Sequence, residues 1–283
     1  MQKIPGKQIA QQILDDLKVE IQEKQLHPKL GVLLIGDDPA SALYVSLKQK
    51  AADQIGVMAD IRRPNIETPD TELIKIIQLW NVDSSVHGII IQMPVPEGHD
   101  ADALVAAMDP KKDADGFHPQ NVRDLMAGKA VLLSPLHEGI LRLIAATPVM
   151  VNHSLVVILA NSHTFADPLK YIFERAGATV EVMLADHTST SLSAGKDDAR
   201  LREADIIIVA VGQEKFLTAN GVKAGAVIID VGINKSADNK VRGDFDSEAC
   251  AAMDGWYSPV PGGVGPMTVA LLMKNVVRLT PQD

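Results

Sequence analysis

Short apolar runs that alternate with helical stretches constrain the fold of this 283-residue chain more than any other feature. Val86–Gln92 and Ile206–Val211 are predominantly apolar over the length of a strand. Such runs are typical of strands that are covered on both faces of a parallel sheet. Helical patterns separate similar runs in both halves of the chain. Because strand–helix alternation builds parallel sheets through right-handed crossovers, the sequence predicts an α/β protein.

Hydrophobic periodicity and helix-capping residues give the predicted element order. The strands are predicted at 29–35, 57–62, 86–92, 154–159, 178–183, 205–211 and 226–231. The helices are predicted at about 9–21, 39–56, 69–80, 101–108, 119–128, 135–146 and 266–279. The helix that Ser134-Pro135 opens is predicted to connect two domains, with its start capped by the serine.

The composition excludes several classes of function. A net charge of −9 argues against non-specific binding to nucleic acid or to anionic membranes. The apolar runs are too short to span a bilayer, and the first residues lack the apolar core of a signal peptide, so the cytoplasm is the expected location. The single cysteine, Cys250, excludes an intrachain disulfide, and the histidines show no metal-binding spacing, so no metal is predicted.

Tyr44 and Lys48 form the first candidate site. Asp38 and Pro39 read as the N-cap and first residue of a helix that places the two side chains four residues apart, on one face. An aromatic ring can stack on a planar substrate, and a lysine held away from water has a lowered pKa and can transfer protons. The alternative is an exposed helix with an unrelated Tyr and Lys. Ligands of parallel sheets bind at the carboxyl ends of strands, which is where Gln92 lies.

Five motifs in a fixed order decide between these alternatives. They are GDDPASALYVSLK (36–48), IIIQMPVP (89–96), KDADGFHP (112–119), IDVGIN (229–234) and PVPGGVGPMT (259–268). In this order and at these separations they closely resemble the bifunctional methylenetetrahydrofolate dehydrogenase/methenyltetrahydrofolate cyclohydrolase family. The resemblance extends from Gly6 to about Val277 and implies oxidation of 5,10-methylene-tetrahydrofolate followed by hydrolysis to 10-formyl-tetrahydrofolate.

The resemblance also implies the domain organisation. Residues 1–138 would form an α/β folate-binding catalytic domain, and residues 139–265 would form a Rossmann-like, doubly wound parallel sheet that binds a dinucleotide. The final helix, 266–283, would return to the first domain, with the active cleft between the domains. The family further suggests a homodimer that forms through the second domain.

The resemblance implies a role for each residue that matches one of the family's motifs. Lys48 matches the catalytic lysine, Gln92 the glutamine that orients it, and Tyr44 a ring that stacks on the folate. Asp115 matches the carboxylate that binds the paired N–H donors of the pterin, and two acceptor oxygens suit such an edge. Further substrate contacts are expected from Ser41, Pro261, Gly262, Gly263, Val264 and Thr268.

The cofactor loop departs from the family. A pattern close to G-R-S-x-x-V-G-x-P becomes Ala160–Pro168, in which both glycines are alanine and the arginine that would bind the 2′-phosphate of NADP is Asn161. Asp167 is expected to repel a phosphate at the start of the helix. The family's P-C-T-P-x-G also changes, and Ser134 replaces its threonine. The expected cofactor contacts are Ala160, Asn161, Ser162, Ile233 and Ser134.

Several interpretations therefore remain open from the sequence. The enzyme uses NADP through an altered loop, or it uses NAD with Asp186 binding the ribose hydroxyls, or it has lost the dinucleotide and keeps only the cyclohydrolase activity. A non-catalytic folate-binding protein is a further alternative. Tyr-x-x-x-Lys is also the catalytic pair of short-chain dehydrogenases, but a glycine-rich turn precedes the pair in those enzymes and none does here.

Overall fold

The computed structural model describes residues 1–129, 132–185, 198–218, 221–235 and 240–282. These residues form two compact units. The first unit comprises Ala10–Pro135 and Thr268–Asp283, and the second comprises Met1–Ile9 and Leu136–Met267. The final segment thus belongs with the first half of the chain, as the sequence predicted. The first nine residues belong to the second unit, whereas the sequence assigned them to the first domain.

Eleven strands and nine helices are assigned within these described ranges. The strands are β1 (Gln2–Lys3), β2 (Lys29–Leu33), β3 (Met58–Arg62), β4 (Gly88–Ile91), β5 (Leu155–Ala160), β6 (Thr179–Leu184), β7 (Ile206–Ala210), β8 (Val227–Asp230), β9 (Asn234–Lys235), β10 (Val241–Arg242) and β11 (Trp256–Tyr257). The helices are α1 (Gly6–Glu23), α2 (Pro39–Ile55), α3 (Asp70–Val82), α4 (Ala101–Ala106), α5 (Pro119–Met126), α6 (Pro135–Ala145), α7 (His163–Arg175), α8 (Ala199–Glu203) and α9 (Val264–Leu279).

A parallel sheet in the order β3-β2-β4 organises the first unit. All four residues of β4 are buried, which explains the apolar run that the sequence shows there. The core on this sheet includes Leu33, Ile77 and Trp80. Helix α2 begins where the Asp38 carboxylate accepts a hydrogen bond from the backbone N–H of Ser41, and it ends at Gly56, which has a left-handed φ of 89°. Both ends match the predicted signals.

The second unit contains a six-stranded parallel sheet in the order β1-β11-β8-β7-β5-β6. After the edge strand β1, the chain forms β5 and adds β6 on one side and then β7 and β8 on the other. This reversal is the topological switch point of a doubly wound fold. The α/β class with a Rossmann-like second sheet is therefore confirmed. Strands β1 and β11, each two residues long, were not predicted because such short segments show no periodicity.

Helix α9 begins at Val264, two residues before the predicted start at Pro266. Pro266 is tolerated because the first turn of a helix leaves its backbone N–H groups without intrahelical partners. In the first unit, the Asn275 side chain donates to the carbonyl oxygens of Ala114 and Leu133, both at 2.9 Å, and so ties the helix to the loop that follows Asp113. No helix in the described ranges has both the length and the apolarity that a bilayer span requires.

Candidate active site

Helix α2 carries the predicted lysine to the carboxyl end of β4. The Lys48 ammonium donates a hydrogen bond to Oε1 of Gln92 over 3.0 Å, and Gln92 is only 7% exposed. The amide nitrogen of Gln92 donates to the carbonyl oxygen of Met93 over 2.5 Å, which fixes the amide with its oxygen towards the lysine. Tyr44 lies one turn before Lys48 and is half-buried, and burial raises the pKa of its hydroxyl. The structure thus brings these predicted residues together.

The two aspartates of the sequence Asp113-Ala114-Asp115 lie in different environments. The buried carboxylate of Asp113 accepts hydrogen bonds from the backbone N–H groups of Gly116 and His118 and from the Asn121 side chain. It therefore shapes the loop. Asp115 has no hydrogen-bond partner among the described residues. Burial raises the pKa of the Asp115 carboxyl group, the Lys48 charge lowers it, and Asp113 raises it further. Asp115 is the carboxylate that remains available to a ligand.

The other predicted residues of the first unit are Ser41, Ser134 and Thr268. Ser41 is 4% exposed and lies in the first turn of α2, while Thr268 is half-buried on α9. Ser134 is buried, and its hydroxyl has no hydrogen-bond partner within the part of the chain that the structure describes. The prediction that this serine caps α6 is therefore wrong. A buried hydroxyl without a hydrogen-bond partner destabilises the folded protein unless a ligand or a water molecule supplies that partner.

Backbone conformation and close packing, which the sequence does not show, explain the two glycines of the Pro261–Val264 segment. Gly262 has a φ of 113°, which strongly favours glycine. A Cβ at Gly263 would lie 2.7 Å from the carbonyl oxygen of Pro259. A Cβ at Gly6 would lie 2.8 Å from the carbonyl oxygens of both Gly262 and Gly263. Close packing within the second unit thus requires glycine at 263, and the approach to a flat ligand that the sequence suggested stays a prediction.

The predicted cofactor loop connects β5 to α7 in the second unit. Ala160 is fully buried at the end of β5, and Asn161 is exposed. Ser162 is the N-cap of α7, where its hydroxyl accepts from the backbone N–H of Phe165 over 3.4 Å. Asp167 is 53% exposed and lies 3.0 Å from Nδ1 of His163. Because Asp167 is exposed and one turn inside the helix, water and salt screen its charge, and its repulsion of a phosphate stays a prediction.

A histidine that the sequence analysis did not single out lies beside this loop. His137 is 7% exposed, its ring packs against that of Phe165 with centroids 6.0 Å apart, and its Nδ1 has no hydrogen-bond partner among the described residues. Burial lowers the pKa of His137 to about 4, although a backbone hydrogen bond with Phe165 opposes the shift. His137 is therefore neutral at pH 7. Only a three-dimensional contact could reveal it.

The β5–α7–β6 unit fits a dinucleotide. It presents the N-terminus of a 13-residue helix at the switch point of the sheet, where backbone N–H groups and the helix dipole favour phosphate. Ile233, 53% exposed, follows β8 on the same sheet. Residues 160–168 contain no Lys or Arg to bind a 2′-phosphate. Asp186 lies outside the described residues. Within those residues, no group of three His, Cys, Asp or Glu side chains could hold a metal ion.

Two domain families match the chain. The family described as "Tetrahydrofolate dehydrogenase/cyclohydrolase, catalytic domain" matches residues 4–115. The family described as "Tetrahydrofolate dehydrogenase/cyclohydrolase, NAD(P)-binding domain" matches residues 135–283. The bifunctional protein FolD of Exiguobacterium sibiricum is 42% identical over 278 residues, which cover 97% of this chain and 98% of that protein.

Solved structures resemble the whole chain as well. The bifunctional enzyme FolD of Campylobacter jejuni, a methylenetetrahydrofolate dehydrogenase/cyclohydrolase, superposes with a TM-score of 0.91 at 35% identity over 99% of this chain and 98% of its own. FolD of Trypanosoma brucei, complexed with NADP and an inhibitor, superposes with a TM-score of 0.89 at 27% identity over 98% and 96% of the two chains.

Proposed function

We infer that the chain, which belongs to the tetrahydrofolate dehydrogenase/cyclohydrolase family, catalyses two successive reactions on a one-carbon unit carried by tetrahydrofolate. In the first, 5,10-methylene-tetrahydrofolate loses a hydride to a nicotinamide and becomes the 5,10-methenyl cation. In the second, water adds to the cationic carbon and the ring opens to 10-formyl-tetrahydrofolate. The contact that supports the second reaction most directly is the hydrogen bond between Lys48 and Gln92.

Lys48 would move the protons of the hydrolysis. Attack of water on the amidinium carbon releases a proton, and breaking the carbon–nitrogen bond requires one at the departing ring nitrogen. An amine that alternates between its neutral and charged forms can accept the first proton and supply the second. Gln92 keeps the amine pointed in one direction, because its own amide is fixed by Met93.

Asp115 and Tyr44 would hold the substrate. The two oxygens of Asp115, without a hydrogen-bond partner among the described residues, suit the adjacent amino and ring N–H donors of a pterin. The half-buried ring of Tyr44 offers a surface for stacking, one turn from Lys48. Ser41, Thr268 and the Pro261–Val264 segment are proposed to complete the contacts.

The nicotinamide cofactor, when bound, supplies the hydride acceptor for the first reaction. We assign its pyrophosphate to the Ala160–Ser162 turn and the N-terminus of α7. Ile233 and Ser134 are proposed as further contacts, since Ile233 is exposed at the end of β8 and the hydroxyl of Ser134 is buried without a partner among the described residues. NADP is the proposed cofactor, because the T. brucei relative binds it. NAD is the alternative, because Asn161 cannot supply the charge that a 2′-phosphate favours.

Calorimetric titration with NADP and with NAD, in the presence and absence of a folate analogue, tests this assignment. Micromolar binding of NADP together with oxidation of methylene-tetrahydrofolate is the expected result. Selective binding of NAD would change the cofactor and keep both reactions. Hydrolysis of methenyl-tetrahydrofolate without binding of either dinucleotide would leave a cyclohydrolase alone, and loss of both activities would leave a folate-binding protein.

We further propose that the protein works in the cytoplasm as a homodimer and that its 10-formyl product supports purine biosynthesis. Strand β6 supports the dimer because it lies at the edge of the sheet with exposed ends at Thr179 and Leu184. An edge strand can pair with the same strand of a second copy about a two-fold axis. Light scattering after size-exclusion chromatography should give twice the chain mass of 30.4 kDa, and a monomer mass would exclude the dimer.

A further inference from the structure

The fully buried carboxylate of Asp244 accepts hydrogen bonds from segments that follow two neighbouring strands, β7 and β8. One oxygen of Asp244 accepts from the N–H groups of Val211 at 2.7 Å and Gly212 at 2.9 Å, directly after β7. The other accepts from the N–H of Gln213 at 2.9 Å and from the Asn234 side chain at 2.8 Å. Asp244 is 0% exposed, so these four donors replace water entirely. The carboxylate joins the loop after β7 to the loop after β8.

A second buried aspartate fixes Asp244 itself. Asp230, the last residue of β8, accepts from the backbone N–H groups of Gly232, Asp244 and Phe245 at 2.9–3.0 Å. The backbone N–H of Asp230 donates in turn to the hydroxyl of Ser258 over 2.8 Å. The two carboxylates therefore form one continuous network of hydrogen bonds within the second unit.

Two glycines allow the carboxylates to approach so closely. A Cβ at Gly232 would overlap the carboxylate of Asp244, and a Cβ at Gly243 would overlap that of Asp230. Gly232 is thus in contact with Asp244, and Gly243 is in contact with Asp230. The arrangement is reciprocal, and a side chain at either glycine would separate the loops.

The loops held in this way lie where a parallel sheet binds its ligand, at the carboxyl ends of its strands. Ile233, the proposed cofactor contact, stands between Gly232 and Asn234, and both of these neighbours are hydrogen-bonded to the aspartates. We propose that Asp244 is a positioning residue for the dinucleotide, which fixes the loops 211–213 and 232–234 as one rigid rim. The inference rests on the proposed function, since it concerns the cofactor of the dehydrogenase reaction.

The chemistry of the site requires a carboxylate rather than an amide. All four partners of Asp244 are N–H donors, two on each oxygen. An asparagine would turn its NH₂ group towards two of them in either orientation, and buried donors that face each other lose their hydrogen bonds. The substitution D244N therefore releases one side of the rim while it preserves the shape of the side chain.

Three variants of the full chain test the proposal. D244N removes the charge. N234A removes the contact between the loop after β8 and Asp244 at 2.8 Å, together with a longer hydrogen bond of 3.4 Å to the carbonyl oxygen of Arg242. D254N makes the same charge change at an exposed aspartate and serves as the matched control. For each variant, the dissociation constants of NADP and NAD are measured by calorimetry, together with thermal unfolding and methenyl-tetrahydrofolate hydrolysis. The hydrolysis depends on Lys48 in the other unit and reports whether that unit is intact.

We expect D244N to raise the dissociation constant of the preferred dinucleotide at least tenfold, N234A to raise it several-fold, and D254N to leave it unchanged. Hydrolysis should stay within twofold of the wild type in all three. If D244N does not fold, the dissociation constant of N234A alone tests the proposal. A folded D244N, or a folded N234A where D244N fails, with the wild-type dissociation constant would overturn the inference and leave the function intact. A wild-type chain that binds neither dinucleotide would overturn the dehydrogenase assignment and the inference with it.

Discussion

Replacement of Gln92 by glutamate tests the proton transfer directly. The change places a carboxylate where the Lys48 ammonium now meets a neutral oxygen at 3.0 Å. At an effective dielectric constant of about 20, two unit charges at that distance attract each other by about 5 kcal/mol. This is an upper bound because Lys48 is partly exposed to water. Even half of that energy would favour the ammonium form over the neutral amine by roughly a hundredfold.

The expected result is a fall in methenyl-tetrahydrofolate hydrolysis of about a hundredfold at pH 7, and a pH–rate profile that is displaced towards higher pH than the profile of Q92L, because the added carboxylate favours the ammonium form. The substitution Q92L serves as a comparison, since loss of a hydrogen bond to a charged group weakens the orientation by about 1.5–3 kcal/mol without a charge effect. Q22E, at an exposed position of α1, controls for net charge. The measurement is the initial rate of hydrolysis between pH 6 and 9. Equal losses in Q92E and Q92L at every pH would refute the electrostatic argument.

Three further predictions concern other parts of the chain. The substitution K48M should leave binding of a folate analogue within about threefold and reduce hydrolysis by roughly 10²–10⁴-fold, the contribution of a general acid–base group. Calorimetry and the hydrolysis assay separate the two effects, and retained activity would show that Lys48 is not the catalytic group. Because burial lowers the pKa of His137 to about 4, the unfolded chain takes up this proton first as the pH falls. The free energy of unfolding should therefore decrease between pH 6.5 and 4 by up to about 3 kcal/mol, and H137Q should lack this component in urea unfolding curves; parallel curves for both proteins would contradict it. N161R should improve the affinity for NADP relative to NAD by about ten- to a hundredfold, through a charged pair with the 2′-phosphate, and unchanged relative affinities in calorimetry would exclude that contact.

Much of the fold could be read from the sequence because its signals are local. The Asp38 cap and the Gly56 terminus of α2 are written in adjacent residues, and both occur as predicted. The apolar runs of β4 and β7 indicate strands covered on both faces, and both lie within parallel sheets. Helical spacing also placed Tyr44 and Lys48 on one face without any knowledge of tertiary structure.

Other features required the folded chain, since they depend on contacts between distant residues. The strand β1 exists only because Gln2 and Lys3 meet β11 more than 250 residues later. The family motif singled out Asp115, but only the folded chain shows that its neighbour Asp113 accepts backbone hydrogen bonds and shapes the loop. The exposure of Asp167, which determines how strongly solvent screens its charge, could also be read only from the folded chain.

The sequence by itself determined the order of the longer strands and helices, the family motifs and the types of residue available for catalysis, because each depends on short stretches of chain. Only the tertiary structure decided how the polar groups are satisfied. The amide of Gln92 is oriented by its neighbours on both sides, and the carboxylate of Asp244 collects donors from two loops. A buried polar group is stable only with partners, and the partners come from wherever the fold brings the backbone.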